Sequence, residues 1–442
     1  MTHRHDRRPL AGFLGAAGIS ALGTRMSFLA LPWLVLTGTG SATLTGLVAC
    51  AEMAPYVGVQ AFGGPLVDRL GAWRVSVGTD AAAAVFIGLV PVLSAARLLS
   101  LPTLAALVAG AGAARGAGDC ARNVMVPGVN DLAGTPLERT TGLFDGVSRA
   151  ASLVGLPLAG VLVAVSSAVS VLAIDAGTFA ASALLVAALV PKAAQPPPDR
   201  AASPGETAYL RSLGEGFRYL RGDRLLLAMA AMILVTNFVD QAGGTVLWPV
   251  WAHEIAHSSV ALGLLGGAMG LGAVSGNAVV TWLGPRLPRR LTYAAGFFAG
   301  GAPRFVALAL ASSVAPVLAV VFVAGLGVGG INPIVGAVEY ERVPRHLQAR
   351  VLGAVGASAW AGIPFGSLAG GLAVAAFGVR PALLAAGTVY GLATLAPFVF
   401  PVWRQMDRRP AAVAAPNTPA QAAGAIHDRG DLSAPYAERS PQ

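Results

Sequence analysis

Charged residues inside long apolar stretches are the features of this sequence that could do chemistry. Five of them are Arg25, Glu52, Asp175, Asp240 and Arg304. Placing a charge at the centre of a bilayer costs about 2.5–3.5 kcal/mol on insertion scales, so each such residue is a functional candidate. A carboxyl group held away from water can also take up and release a proton. We therefore expect these residues to bind protons or a charged substrate.

Glu52 is the leading candidate among them. It lies near the middle of an apolar stretch, and Pro55 follows on the same predicted helix, where it is expected to kink the backbone. We expect Glu52 to bind a proton or to contact a cationic substrate. The alternative is a structural ion pair between Glu52 and Arg25.

A second group of polar residues lies on one arc of a later stretch. Asn237, Asp240 and Gln241 share this arc, and Trp248 and Trp251 follow it. The arrangement predicts a polar binding patch with aromatic walls. The alternative is a polar contact between helices next to an aromatic belt at the membrane interface.

The remaining charges have both functional and structural interpretations. Asp175 can be structural or can take part in coupling, and Arg304 can pair with an acid such as Asp240. Two groups near span ends are interpreted as local structural pairs: Asp145 with Arg149, and Asp119 with Arg115 and Arg122.

The elements that must position these residues are membrane-spanning helices. Apolar residues make up 55% of the 442-residue chain and charged residues only 12%, about half the charged share of a soluble domain. Apolar runs of roughly 20 residues recur, and only helices suit such runs in lipid. The twelve predicted spans are 10–36, 43–63, 75–95, 101–121, 141–165, 167–190, 225–250, 258–283, 291–312, 315–337, 351–377 and 382–403.

The sequence divides into two similar halves. Pro157 and Pro364 occupy equivalent places in the fifth and eleventh spans, as Pro136 and Pro344 do just before them. A duplicated six-helix unit is typical of secondary transporters, which bind substrate at the repeat interface. The predicted divisions are an N-terminal tail over 1–9, a first bundle over 10–190, a linker with an amphipathic helix over 191–224, a second bundle over 225–403 and a disordered tail over 404–442.

The positive charges predict an orientation. Lys and Arg concentrate in the tails and connections on one side of the predicted bundles, and the connections on the other side contain only Arg97 and Arg380. Since cytoplasmic loops are enriched in Lys and Arg, both termini are expected in the cytoplasm. The net charge of +9 is accounted for by these loops, so nucleic acid is not an expected partner.

No enzymatic motif is evident, and neither a cofactor nor a metal is expected. The sequence has no phosphate-binding loop, and His253 and His257 lack the order and the helical context of a zinc-protease site. The lipid bilayer, a small-molecule substrate and protons are the predicted partners.

The connection between the second and third spans carries a recognisable motif. Its matching residues are Gly64, Asp68, Arg69, Gly71 and Arg74. On these residues, and on segments around Arg122, Asp175 and Phe217, the chain resembles the major facilitator superfamily, specifically the bacterial exporter branch with enterobactin-type and macrolide-type efflux proteins. An Asp–Arg pair at this turn could latch the two bundles on the cytoplasmic side.

The resemblance implies a fold and a function. The expected fold is an all-α polytopic membrane protein, with twelve transmembrane helices in two pseudo-symmetric six-helix bundles. The expected function is proton-coupled efflux of small hydrophobic or amphiphilic compounds by a monomer in the bacterial cytoplasmic membrane. A siderophore, metabolite or lysolipid carrier is the alternative, followed by a non-transporting receptor or scaffold.

The sequence departs from the family pattern at two places. Antiporters of this superfamily usually have Gly-Pro-x-x-Gly-Gly in the fifth span, and this sequence keeps only Gly155, Pro157 and Gly160 of that pattern. Pro364 in the eleventh span is the counterpart of Pro157. We expect both prolines to mark mobile kinks. The first span has Gly23-Thr24-Arg25 where the branch often has Gly-Asp, so one candidate proton-carrying acid is missing.

Overall fold

The structure is a computed structural model that describes residues 7–194, 206–283, 286–311, 313–344 and 347–407. Within these ranges the chain is helical and contains no β-strand. Most of both predicted tails and part of the predicted linker lie outside the described residues.

Eighteen α-helices make up the described part of the chain. Those of the first half are α1 (Arg8–Thr39), α2 (Ala42–Phe62), α3 (Gly64–Leu70), α4 (Ala72–Ala95), α5 (Leu101–Ala133), α6 (Leu137–Val165) and α7 (Ala168–Leu189). Those of the second half are α8 (Glu206–Gly222), α9 (Arg224–Ala242), α10 (Trp248–Glu254), α11 (Ser259–Leu283), α12 (Arg289–Gly300), α13 (Ala302–Leu310), α14 (Val314–Gly329), α15 (Ile331–Arg342), α16 (Gln348–Trp360), α17 (Ile363–Phe377) and α18 (Val379–Val399).

The long helices confirm the predicted polytopic fold. Among the described residues, eleven helical segments are long and apolar enough to cross a membrane. The fourth predicted span, α5, is not one of them, because its 33 residues include Arg115, Asp119 and Arg122 as well as many small residues. It nevertheless packs between α2 and α4 as a full member of the first bundle.

Several predicted spans are interrupted. A π-helical turn over Gly243–Leu247 joins α9 to α10. The ninth and tenth spans each consist of two helices, which meet at Gly301 and Gly330 respectively. The eleventh breaks between α16 and α17, with Pro364 at the start of α17, whereas α6 continues through Pro157 without interruption.

The connections rich in Lys and Arg lie on one face of the molecule, which we call the basic face, and ion pairs and hydrogen bonds join them. There Arg289 makes a two-pronged ion pair with Glu341, at 2.6 and 2.8 Å. Arg342 pairs with Asp223 at 2.8 Å. The face at the other ends of the helices is called the opposite face below.

The linker helix α8 packs on the second bundle. Its Leu220 is buried, Phe217 is partly exposed, and Glu215 pairs with Arg350 of α16. The hydroxyl of Tyr219 donates to the Arg342 carbonyl at 2.9 Å. A helix with one buried side is thus present in the segment for which the sequence predicts an amphipathic helix.

The two bundles meet through two glycine-mediated helix pairs near the opposite face. A Cβ atom on Gly46 of α2 would lie 2.4 Å from the Ser367 carbonyl oxygen of α17. A Cβ atom on Gly160 of α6 would lie 2.7 Å from the Ser259 carbonyl oxygen of α11. Only the absence of a side chain permits these approaches. We call these two contacts the gate.

Candidate functional site

A central cavity of about 360 Å³ lies between the bundles. Its walls come mainly from α1, α2, α5 and α6, and the second half contributes Gln241, Trp360 and Ile363. The lining residues occupy the middle of these helices and the parts nearer the basic face. The gate closes the molecule on the other side, so the cavity extends from mid-depth toward the basic face.

Glu52 forms a buried ion pair with Arg115. Their side chains are only 7% and 6% exposed, and Arg115 also lines the cavity. The alternative pairing of Glu52 with Arg25 is therefore wrong. The rotation of α2 about its axis turns Glu52 toward α5, and the sequence does not specify that rotation.

A second buried network centres on Arg122. Its guanidinium pairs with Asp80 of α4 and with Asp119 at 3.0 Å, and it donates to the Ser20 hydroxyl at 3.0 Å. The other oxygen of Asp119 accepts a 3.0 Å hydrogen bond from the Tyr56 hydroxyl. Asp119 thus pairs locally with Arg122, as predicted, whereas Arg115 instead pairs with Glu52 on another helix.

Arg25 has no such partner. Its side chain is exposed in the cavity wall, and among the described residues no carboxylate lies within 4 Å of its guanidinium. Gly155 lets α6 approach α1 closely here, since a Cβ atom on Gly155 would lie 2.7 Å from the Arg25 Cβ atom.

An aromatic pair crosses the cavity from one bundle to the other. The rings of Tyr56 on α2 and Trp360 on α16 stack with centroids 6.3 Å apart and planes inclined by 17°. Trp360 is the last residue of α16, so this contact lies directly at the break in the eleventh span.

Asp175 is fully buried behind the cavity wall. Its carboxylate accepts hydrogen bonds from Ser27 of α1 and, at 3.2 Å, from Thr178. Gly23 leaves the space for this contact, because a Cβ atom there would lie 2.2 Å from an Asp175 oxygen. Asp175 therefore holds α7 against α1 and does not line the cavity.

Asp240 pairs with Arg304 in the second bundle. The guanidinium carbon lies 4.8, 5.5 and 5.8 Å from the ring centroids of Phe305, Trp248 and Tyr390, which surround it with aromatic faces. Cation–π contacts of this kind stabilise a buried arginine. From the sequence, this pairing was the structural alternative to a functional role for Arg304.

The predicted polar arc divides between two environments. Gln241 lines the cavity, whereas the Asn237 amide donates to the Ala359 carbonyl oxygen at 2.9 Å and joins α9 to α16. Trp248 is 9% exposed and Trp251 1%, so neither belongs to an interfacial belt. That part of the alternative is wrong, because both rings are buried inside the protein. Neither ring lines the central cavity, so they do not form the predicted aromatic walls there.

The motif in the connection between the second and third predicted spans lies on the basic face. Gly71 adopts the left-handed region at φ 87°, which favours glycine. Asp68, Arg69 and Arg74 are exposed, and none forms an ion pair with another described residue. The predicted latch is therefore not engaged in this conformation.

The structure also brings in residues that the sequence reasoning did not select. Asp80 is 2% exposed within a predicted span, so the rule that identified Glu52 would also have found it. Tyr56 and Trp360 carried no signal, because aromatic residues are common in apolar helices. No group of three or more His, Cys, Asp or Glu residues in the described ranges is arranged to hold a metal ion.

Comparisons with known proteins agree with this architecture. A multidrug efflux pump named Tap from Mycobacterium tuberculosis is 30% identical over 413 residues, which cover 92% of this chain and 97% of the relative. Tap from Mycolicibacterium fortuitum is 28% identical, with 91% and 98% covered.

Solved structures share the fold at low identity. A bacterial homologue of the human lysosomal transporter Spinster, in an inward-facing and unoccupied conformation, superposes with a TM-score of 0.73 at 12% identity, covering 93% of this chain and 100% of that one. The nucleoside transporter NupG gives 0.67 at 13% identity, with 89% and 100% covered. The model of the Major Facilitator Superfamily matches residues 13–242 and 231–430. This chain therefore belongs to the major facilitator superfamily.

Proposed function

We propose that this transporter exports small hydrophobic or amphiphilic compounds, including antibiotics, in exchange for protons. The central cavity is the observation that carries the proposal. It is of the size that holds drug-sized ligands, about 300–1,000 Å³, and the gate contacts lie between it and the opposite face. The relatives named as multidrug efflux pumps span nearly the whole chain and support the same cargo class.

Transport would proceed by alternating access. In the present conformation substrate enters the cavity from the basic face, which we place in the cytoplasm because Lys and Arg are enriched on cytoplasmic loops. Opening to the other side requires α2 to separate from α17 and α6 from α11. The turn carrying Asp68 and Arg69 would then close against the second bundle.

Glu52 is the proposed proton carrier. Its ion pair with Arg115 is buried, and Arg115 also forms part of the cavity wall. Protonation of Glu52 would break the pair and free the Arg115 guanidinium, so the charge of the cavity wall would respond to the proton. Asp240 and Asp175 are the second-rank candidates, since neither these acids nor their partners Arg304 and Ser27 line the cavity.

A growth-inhibition panel of diverse antibiotics and dyes tests the proposal. The host lacks its own efflux pumps and expresses the wild type, Glu52→Gln, or Glu254→Gln as the matched control. Glu254 is exposed at the end of α10, away from the cavity. We expect the wild type and the control to raise tolerance to several compounds and Glu52→Gln to lose that protection, at equal protein levels.

The other outcomes are informative as well. If the wild type protects against nothing, drug efflux is wrong and a siderophore, metabolite or lysolipid becomes the cargo to test. If Glu52→Gln protects as well as the wild type, Glu52 is not the coupling residue.

The proposed site of action is the bacterial cytoplasmic membrane, with a monomer as the working unit. Reporter fusions after Leu98, in a connection at the opposite face, and after Asp407, at the basic face, test the orientation. The reporter active in the periplasm should work only at Leu98, and the reporter active in the cytoplasm only at Asp407. The reverse pattern would refute the assignment.

A further inference from the structure

Positive charge dominates the cavity wall. Among the described residues, the lining contains three arginines, Arg25, Arg115 and Arg122, and a single acid, Asp119. Arg115 and Arg122 are neutralised from behind by Glu52 and Asp80. Arg25 is the lining arginine without a carboxylate partner in the described part of the chain.

Asp119 cannot supply that partner without breaking other contacts. One of its oxygens accepts from Arg122 and the other from Tyr56, both at 3.0 Å. The guanidinium of Arg25 carries five N–H donors in a planar fork. Arg25 lines the cavity and is exposed, so a carboxylate in the cavity can accept two of these donors at once.

The rest of the wall suits an apolar body. Phe28, Met53, Phe144 and Trp360 line the same cavity as Arg25. Aromatic side chains give large contact areas for a ring system. The cavity thus combines one unpaired cationic fork with apolar and aromatic walls, which is the complement of an amphiphile bearing one acidic group.

We propose that the central cavity selects amphiphilic organic acids, with Arg25 binding the acidic group. This rests on the proposed export function and deepens it by naming the substrate class. The described residues of the cavity wall offer a cationic amphiphile no free acid, and such a compound would have to approach Arg25. A neutral compound would displace water from the exposed Arg25 donors without supplying a charged acceptor, at a free-energy cost.

Matched fluorescent probes test the proposal on the full chain in nanodiscs. Dansyl-glycine carries a carboxylate, dansyl-glycinamide is its neutral amide, and dansyl-ethylenediamine carries an amine. We expect the carboxylate probe to bind about ten- to a hundredfold more tightly than the amide, the range of one charge-assisted hydrogen-bonded contact. The amine probe should bind most weakly.

Variants assign the preference to Arg25. Arg25→Gln should bind the acid and the amide about equally, whereas Arg25→Lys should retain a reduced preference for the acid because it keeps a point charge. Arg149→Gln is the control, since Arg149 pairs with Asp145 on α6 and does not line the cavity. Its preference should equal that of the wild type.

The outcomes separate this inference from the proposed function. Equal binding of all three probes by a wild type that still confers drug tolerance refutes acid selectivity and leaves export standing. Acid-selective binding without any drug tolerance supports Arg25 as an anion site and refutes drug efflux. A preference that survives in a folded Arg25→Gln variant refutes the role of Arg25.

Discussion

Gly46→Val should shift the transporter toward the conformation in which the gate is open. A Cβ atom at Gly46 would lie 2.4 Å from the Ser367 carbonyl oxygen, and ordinary van der Waals contact begins at 3.4 Å. The backbones of α2 and α17 must therefore separate by about 1 Å or more to admit valine. Overpacking of this kind costs about 1–3 kcal/mol, and here the cost falls on the gate-closed conformation. Such a cost changes the ratio of the two conformations about 5- to 150-fold.

The labelling rate of a cysteine introduced at a buried position near the gate measures this shift. Ala49, 5% exposed, lines a small enclosed cavity with Glu52 and Thr245 on the gate side of the central cavity. Ala49→Cys is introduced after Cys50→Ser and Cys120→Ser, and labelling by a maleimide is followed in nanodiscs. We expect Gly46→Val to accelerate labelling at least fivefold.

The control is the same substitution on the same helix. Gly58→Val adds its methyl groups where no other part of the structure lies within 4 Å of the added Cβ atom. If the cysteine at position 49 is labelled no faster in the Gly46→Val variant than in the Gly58→Val variant, the glycine contact does not set the conformational equilibrium. That result would refute the gate.

Three further predictions concern single side chains. Asp240→Asn leaves the 4%-exposed Arg304 without its carboxylate. Because the Asp240 side chain is itself 36% exposed, the loss should be about 1–3 kcal/mol, smaller than for a fully buried pair, and the melting temperature of the purified protein should fall by several degrees. An unchanged melting temperature contradicts a structural role. Arg289→Gln breaks the two-pronged pair with Glu341 on the basic face. The Arg289 side chain is 18% exposed, against 5% for Arg304, so this change should cost only about 0–1 kcal/mol in the same melting experiment. A loss like that of Asp240→Asn would show that the pair holds the basic face together. Tyr56→Phe keeps the ring stacked on its partner and loses one hydrogen bond, so it should reduce drug tolerance less than Tyr56→Ala does, and equal loss in both would exclude a role for the stacking.

Hydropathy and charge were sufficient to predict the architecture. The predicted spans coincide with helices because a long apolar run can satisfy its backbone in lipid only by helical hydrogen bonding. The breaks at Gly301 and Gly330 were not predicted, since hydropathy measures apolarity and not backbone continuity. Of the two prolines expected to mark kinks, Pro364 coincides with a break between helices, whereas Pro157 lies within a continuous helix.

The pairing of charges was less accessible to sequence reasoning. Arg304 and Asp240 were considered as partners because both lie deep in the second bundle. Glu52 and Arg115 were not, because their contact depends on how α2 and α5 are rotated about their axes. An ionisable residue in a span can thus be recognised from its surroundings in sequence, whereas its partner requires the packing of whole helices.

The ends of the connector between the bundles are each anchored on one side. Ala194 lies against Gly128 of α5, where an added Cβ atom would lie 1.8 Å from its carbonyl oxygen, and Glu215 on α8 is held by Arg350. The two ends of the connector are thus fixed to different bundles. Any displacement of one bundle relative to the other must therefore be accommodated by the chain between Ala194 and Glu206, because the contacts on either side of it hold each end in place.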